Sequence, residues 1–341
     1  MDDIFSGMKS TSPNKRHGRR RALPHVLALG LAVGLAAVPL LPTAGRGDAS
    51  AAETRRPLEA DGSIDPVRTP IRATPLPEPT VEAGAAEVGA IAAAYPERIE
   101  ETSFREGEWA LRIDGRWYYW EGGRLLTGDL RPRSQEFTPL RFYRYYTGPL
   151  QIREIEPETA ERLRRILSER ASNPPVRHPG FQDALYGISS RAEAESTMVE
   201  LTLLGHRTRV HPVAVDALRR VETDVRQAAS RDPEVAEFIR GLAAVEGFHW
   251  RNIAGTRARS YHSYGVAVDL IPRYYGGDFG YWRWAAEAGI EDWWALGEND
   301  RFMIPQPIID SFEENGFVWG GKWLFFDPIH FEYRPEVFLL E

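Results

Sequence analysis

The period of the apolar positions changes several times along this chain, and each change predicts an element. Between Val213 and Ala229 the apolar residues fall at 213, 217, 218, 221 and 225, one face of a helix. Residues 234–245 read as a second helix. Glu158–Ala171 has helical composition, with Pro157 at a first-turn position and Asn173-Pro174-Pro175 as the stop. Ile308–Asn315, followed by Gly316, predicts a short helix with a glycine C-cap. Strand patterns stand at Val199–Leu204 and over the apolar run 266–271. In Trp109–Trp120 two β-prone runs flank Asp114-Gly115, a pair suited to a two-residue hairpin turn, and Leu140–Tyr146 is a further β-prone cluster. These helices and strands do not alternate as βαβ units do, so an α+β fold is predicted.

The first hundred residues follow another pattern. A basic run, Lys15–Arg21, precedes an apolar stretch, Ala22–Pro42, and small residues at Ala49-Ser50-Ala51. This three-part form predicts an export signal over residues 1–50, either cleaved or kept as a membrane tether, and an extracytoplasmic location. Residues 51–96, rich in Pro, Ala and Glu, read as a linker. Residues 97–150 are expected to form a small β-rich module whose aromatic rings make its core, and 151–341 a larger domain that carries the chemistry.

Composition narrows the chemistry. The 341 residues are 43% hydrophobic and 27% charged, which excludes wholesale disorder. There is no cysteine, so disulfides, thiolate metal sites and thiol catalysis drop out, and any metal must be held by His, Asp or Glu. The formal charge of -7 becomes about -11 once the basic leader is set aside, which speaks against nucleic acid as a partner.

Two segments carry polar groups that their surroundings do not explain. In Ser260-Tyr-His262-Ser-Tyr-Gly265-Val-Ala-Val-Asp269-Leu-Ile-Pro272, one carboxylate stands inside an apolar strand, where burial is costly without a cation or strong donors. His262 lies seven residues upstream, and Gly265 between them supplies the freedom to bring the imidazole back over the strand. In Phe325-Phe-Asp327-Pro-Ile-His330-Phe-Glu332-Tyr333, an extended chain puts His330 and Glu332 on one face, with Asp327 three residues before the histidine. His262, Asp269 and His330 together make a three-ligand set for Zn2+ that leaves one position for water, and Asp327 is placed to act as the base.

The motifs Ser-x-His-x-x-Gly-x-Ala-x-Asp at 260–269, Trp319-Gly-Gly-Lys-Trp323 and Asp327-x-x-His-Phe-Glu332 resemble the zinc D-alanyl-D-alanine carboxypeptidase and L-alanyl-D-glutamate endopeptidase family, which includes the vancomycin-resistance D,D-peptidases and several phage endolysins. The resemblance spans roughly residues 180–335, including Phe248–Thr256. It implies the α+β fold shared with the hedgehog signalling domain, His262, Asp269 and His330 as zinc ligands, Asp327 as general base, and the stem peptides of peptidoglycan as substrate. It also implies an upstream arginine that holds substrate and stabilises the oxyanion. Arg251 is the best candidate for it, with Arg257 and Arg259 close by. Ser260 is expected to brace the loop or touch substrate, and Glu332 to orient His330. His206, His211 and His249 have no comparable context and read as structural or surface residues. The insertion Tyr274–Asp300, with Trp282, Trp284, Trp293 and Trp294, is expected to wall one side of the cleft by packing.

One departure tilts the reading. Many carboxypeptidase members have Glu three residues before the last histidine, whereas this chain has Asp327, as in the branch that includes endopeptidases. The bond cleaved stays open between a terminal D-Ala, an L-Ala–D-Glu link and a crosslink. The rival from another class is a non-catalytic wall-binding or partner-binding protein that keeps the fold.

Overall fold

The computed structural model describes residues 83–152 and 155–340, so the expected export signal and all but the end of the expected linker lie outside the described residues. The chain is first met in helix α1 (Ala85–Ala94), which buries Val88, Ala90 and Ile91. This corrects the expected extent of the linker to residue 96. Alanine is the best helix former, and two large apolar residues three apart are enough to hold a short Ala-rich helix on a core. Strands β1 (Glu101–Arg105), β2 (Glu108–Ile113) and β3 (Arg116–Tyr119) follow as an antiparallel sheet in that order. Asp114 and Gly115 turn the chain between β2 and β3 with φ of 49° and 74°, as the hairpin reading requires.

The β-prone cluster Leu140–Tyr146 is a second correction, because it is extended but pairs in no sheet. Its polar groups are met elsewhere. Tyr145 donates its hydroxyl to Glu313 at 2.5 Å, and the Leu140 amide bonds Gly123 at 2.8 Å. The segment straps the two halves of the chain together.

Helix α2 (Pro157–Ser172) begins on its proline. Short helices α3 (Gly180–Tyr186) and α4 (Arg191–Thr197) come next, the latter with a Ser190–Glu193 capping box. A hairpin of β4 (Val199–Leu203) and β5 (His206–Val210) leads into α5 (Pro212–Ala229), which buries Ala217, Leu218, Val221 and Val225 on the predicted face. Helix α6 (Pro233–Gly241) stops earlier than expected, since Leu242–Glu246 is strand β6. Short apolar runs do not distinguish a helix from a buried strand by period alone, and here pairing with a partner strand decides.

The remaining strands complete the main sheet. They are β7 (Ala267–Pro272), then, after α7 (Trp282–Glu287) and α8 (Gln306–Glu314), β8 (Phe317–Trp319) and β9 (His330–Tyr333). The antiparallel order is β6-β7-β9-β8. Alternation gives the sheet two faces. Val268, Leu270 and Phe331 join α5 and α8 in one core, where the Phe312 and Phe331 rings stack at 4.0 Å. Asp269, His330 and Glu332 occupy the alternate positions of the same strands. A second core joins Leu111, Ile113 and Tyr118 of the N-terminal sheet to Phe181, Tyr186, Tyr264 and Ala267, so the region around residues 97–150 and the larger domain share apolar interior. Among the described residues, no helix is long and apolar enough to cross a membrane.

Candidate metal centre

Strand register does the first part of the assembly. Asp269 in β7 stands opposite His330 in β9, and opposite Glu246 on its other side. His262 arrives from a different direction, on a one-turn 3-10 helix, Tyr261–Tyr264. Gly265 ends that turn in the left-handed region at φ 66°, where a Cβ would also lie 2.2 Å from the Met198 sulfur and 2.7 Å from the His211 amide. Ser260 begins the turn, its Oγ accepting from the His262 amide at 3.3 Å.

Three atoms meet as a result. His330 Nδ1 is 2.7 Å from Asp269 Oδ1, and His262 Nε2 is 3.2 Å from both. Ligands at about 2.0–2.1 Å from a tetrahedral zinc are separated by roughly 3.3 Å, so these side chains are spaced as one metal would need them. Of the described residues, only His262, Asp269 and His330 form such a group. The remaining ring nitrogens are committed. His262 Nδ1 donates to the Gly247 carbonyl at 2.5 Å, which leaves Nε2 as the free lone pair, and His330 Nε2 lies 3.2 Å from Glu332 Oε1, which leaves Nδ1. Both tautomers thus point a ligand atom at the same place.

Electrostatics agree with a site built to hold a cation. Burial by itself would raise the Asp269 carboxyl, but the two imidazoles override it and hold it well below the usual carboxylate range. Burial would lower His330, yet Asp269 and Glu332 push it up to about 10.

Asp327 sits on the turn between Trp323 and β9, which is closed by its carbonyl accepting from the His330 amide at 3.1 Å. The turn lies against the Gly-Gly pair: the Asp327 amide donates to the Gly320 carbonyl at 3.0 Å, and a Cβ on Gly320 would come within 2.6 Å of the Asp327 carbonyl oxygen. Burial, reinforced by Asp269, pushes the Asp327 carboxyl up to about 7, against the opposing pull of His330 and Arg251. Such a group exchanges protons near neutrality.

Arg251 is exposed and lines a cleft of about 230 Å³ with Trp250, Asn252, Arg259 and Ser263. Its backbone is fixed by Ser263, whose Oγ accepts from the Arg251 amide at 2.8 Å. Its charge acts on Asp327 and Tyr281. Arg259 is occupied elsewhere, paired with Asp183 and stacked over Trp250 at 4.5 Å, while Arg257 is exposed. Ser260 is buried, and its hydroxyl braces the turn by accepting from the His262 amide, the first of its two expected roles. His211 caps α5 through the Val213 amide, and His249 is exposed.

Further groups stand around the three ligand atoms. The Gly247 carbonyl, the Trp323 ring 5.4 Å from the His330 ring, and Tyr275 and Tyr281, both raised by burial and by Asp327, surround the site. Of the insertion's tryptophans, Trp293 and Trp294 are buried and Trp282 packs 4.7 Å from Trp293, as expected for packing, whereas Trp284 is exposed. A backbone carbonyl has no residue signature, but the aromatic density of the insertion was visible.

Fold and site together define an α+β protein with a His-Asp-His cluster fit for one metal. Residues 254–333, which contain all three clustered residues and Asp327, match the model of a family described as D-alanyl-D-alanine carboxypeptidase. This supports a peptidase with peptidoglycan-derived substrates. Residues 87–142 match the model of a family described as a domain of unknown function. No curated protein and no solved structure matches the chain.

Proposed function

We propose that the protein is an exported, zinc-dependent peptidase that hydrolyses amide bonds in the stem peptides of peptidoglycan outside the cytoplasmic membrane. The observation that carries this reading is the convergence of His262 Nε2, Asp269 Oδ1 and His330 Nδ1 within 3.2 Å, inside the segment similar to carboxypeptidases. Zinc held there supplies Lewis acidity, which activates water and polarises the scissile carbonyl. The protein's own groups do the rest. Asp327 takes a proton from the attacking water and delivers it to the leaving nitrogen as the C–N bond breaks. Arg251 offers a guanidinium to the oxygen that gains charge at the carbonyl, or to a substrate carboxylate. Glu332 keeps His330 oriented. The basic and apolar leader supports export, and Asp327 in place of Glu favours an endopeptidase over a carboxypeptidase.

The test is mass spectrometry of peptidoglycan fragments after incubation with the zinc-loaded full chain, beside an Asp327→Asn control. New fragments absent from the control are expected, and their masses name the bond. A folded, zinc-loaded protein that yields none would favour a binding protein that keeps the peptidase fold.

A further inference from the structure

Two paths of hydrogen bonds and packed rings reach His330 from outside the carboxypeptidase-like segment 254–333. In the first, the Trp323 ring packs on His330 at 5.4 Å, and its Nε1 donates to the Tyr143 hydroxyl at 3.2 Å. The second starts from Glu332, whose Oε1 is 3.2 Å from His330 Nε2 and whose Oε2 faces Arg334 Nη1 at 4.0 Å. Arg334 carries it further. Its Nε pairs with Glu336 Oε1, on the 3-10 turn Pro335–Leu339, and Glu336 Oε2 accepts the Tyr95 hydroxyl at 3.1 Å. The same guanidinium donates through Nη2 to the Arg141 carbonyl at 2.7 Å, and lies 5.2 Å over the ring of Tyr261, the residue before His262.

Tyr95, Arg334 and Glu336 are all buried. A buried ion pair adds little net stability, because desolvation offsets its attraction, and apolar contacts would join these parts of the chain as firmly. What the hydrogen bonds add is direction. Both paths begin at a tyrosine hydroxyl, Tyr95 just after α1 and Tyr143 in the strap Leu140–Tyr146, and both end on the one imidazole whose Nδ1 meets Asp269 and His262. The region around residues 87–142, which match a family with no described function, is therefore bonded to the metal centre and does not merely pack beside it.

We propose that Tyr95 and Tyr143 are positioning residues for the metal ligand His330, one acting through Glu336, Arg334 and Glu332 and the other through Trp323, so that the N-terminal region is a working part of the metal centre. The proposal rests on the metal site of the peptidase reading and is independent of which bond is cleaved.

Tyr95→Phe and Tyr143→Phe each remove one hydroxyl and keep the ring, and both are combined in the full chain. Competition with a chelator measures zinc affinity, and the visible spectrum of the cobalt-loaded protein reports the geometry at the metal. Loss of a partner bonded directly to a ligand typically costs about 10–100-fold in metal affinity. The tyrosines act one or more links further out, so the double variant should lose at least about fivefold, with a shifted cobalt band. Val221→Ala, a cavity in α5 on the other face of the sheet, controls for general loosening: its melting temperature should fall while zinc affinity stays within about twofold and the cobalt band stays in place. A smaller loss in the double variant, or an equal loss in Val221→Ala, would overturn the relay. Should the double variant not fold, the single variants decide by the same comparison, each expected to lose at least about twofold. A wild type that takes up neither zinc nor cobalt means that the metal reading has failed instead. The imidazole resonances of His330 then decide, a shift in the variants supporting the relay and unchanged resonances overturning it.

Discussion

Asp269 and His330 face each other across adjacent antiparallel strands, with Oδ1 2.7 Å from Nδ1, although 61 residues separate them in the chain. This pairing explains how a carboxylate is tolerated in an apolar strand. A slip of one residue in register would turn both side chains into the core formed by Phe312, Phe317 and Phe331, so packing on one face of the sheet specifies the ligand pair on the other. His262 then needs only a local turn to complete the group.

His262→Ala should bring zinc content well below one per chain, measured by elemental analysis on dialysed protein. The side chain is nearly fully buried, so a thermal melt accompanies the assay. Full occupancy in the folded variant would remove His262 from the ligand set.

Asp327→Asn should retain zinc, because Asp327 is outside the three-atom group, and should lose activity by about a hundredfold or more, the range for general acid–base groups. Unchanged turnover would take Asp327 out of the mechanism.

Metal binding should release protons. In the metal-free protein, burial lowers His330 but Asp269 outweighs it and lifts the imidazole to about 10, so the ring is protonated throughout the neutral range and must lose its proton to become a ligand. Zinc affinity therefore rises with pH, by up to about tenfold per unit below that pKa. The same sign governs the metal-free fold: the stability contributed by His330 is fully present below its unfolded value near 6.5 and fades as pH climbs through about 10. Calorimetry in buffers of different ionisation enthalpy measures the release. No proton uptake by the buffer between pH 6 and 8 would contradict the charged site.

Gly265→Ala should destabilise the fold by at least about 1–2 kcal/mol, the cost of a side chain in the left-handed region, before the clash with Met198 and His211 is added. Denaturant melts read the loss. Zinc affinity should fall with it, since this glycine ends the turn that carries His262. Wild-type stability in this variant would show that the turn relaxes without effect on the site.

What could be read directly from the sequence was whatever depends on near neighbours. The stripe of α5, the Asp114-Gly115 turn, the lone Asp269 in an apolar run and the Asp327-x-x-His330-x-Glu332 spacing are all local patterns, because period and turn chemistry report which side of an element is buried. They do not report against what. The Ala-rich α1 lacked a visible partner until the N-terminal sheet was folded beside it, and Leu140–Tyr146 looked like a strand because β propensity measures a half-buried surface whether or not a ladder forms on it. The end of α6 was likewise undecided until β7 offered Leu242–Glu246 its hydrogen bonds. Two features of the site depended wholly on tertiary structure: the Gly247 carbonyl that sets the His262 tautomer, and the Ser263 hydroxyl that holds the Arg251 amide. Each is either a backbone atom or a side chain of ordinary surface type. Such groups acquire a role only through what distant parts of the chain place next to them, and that placement follows from burying the two cores together.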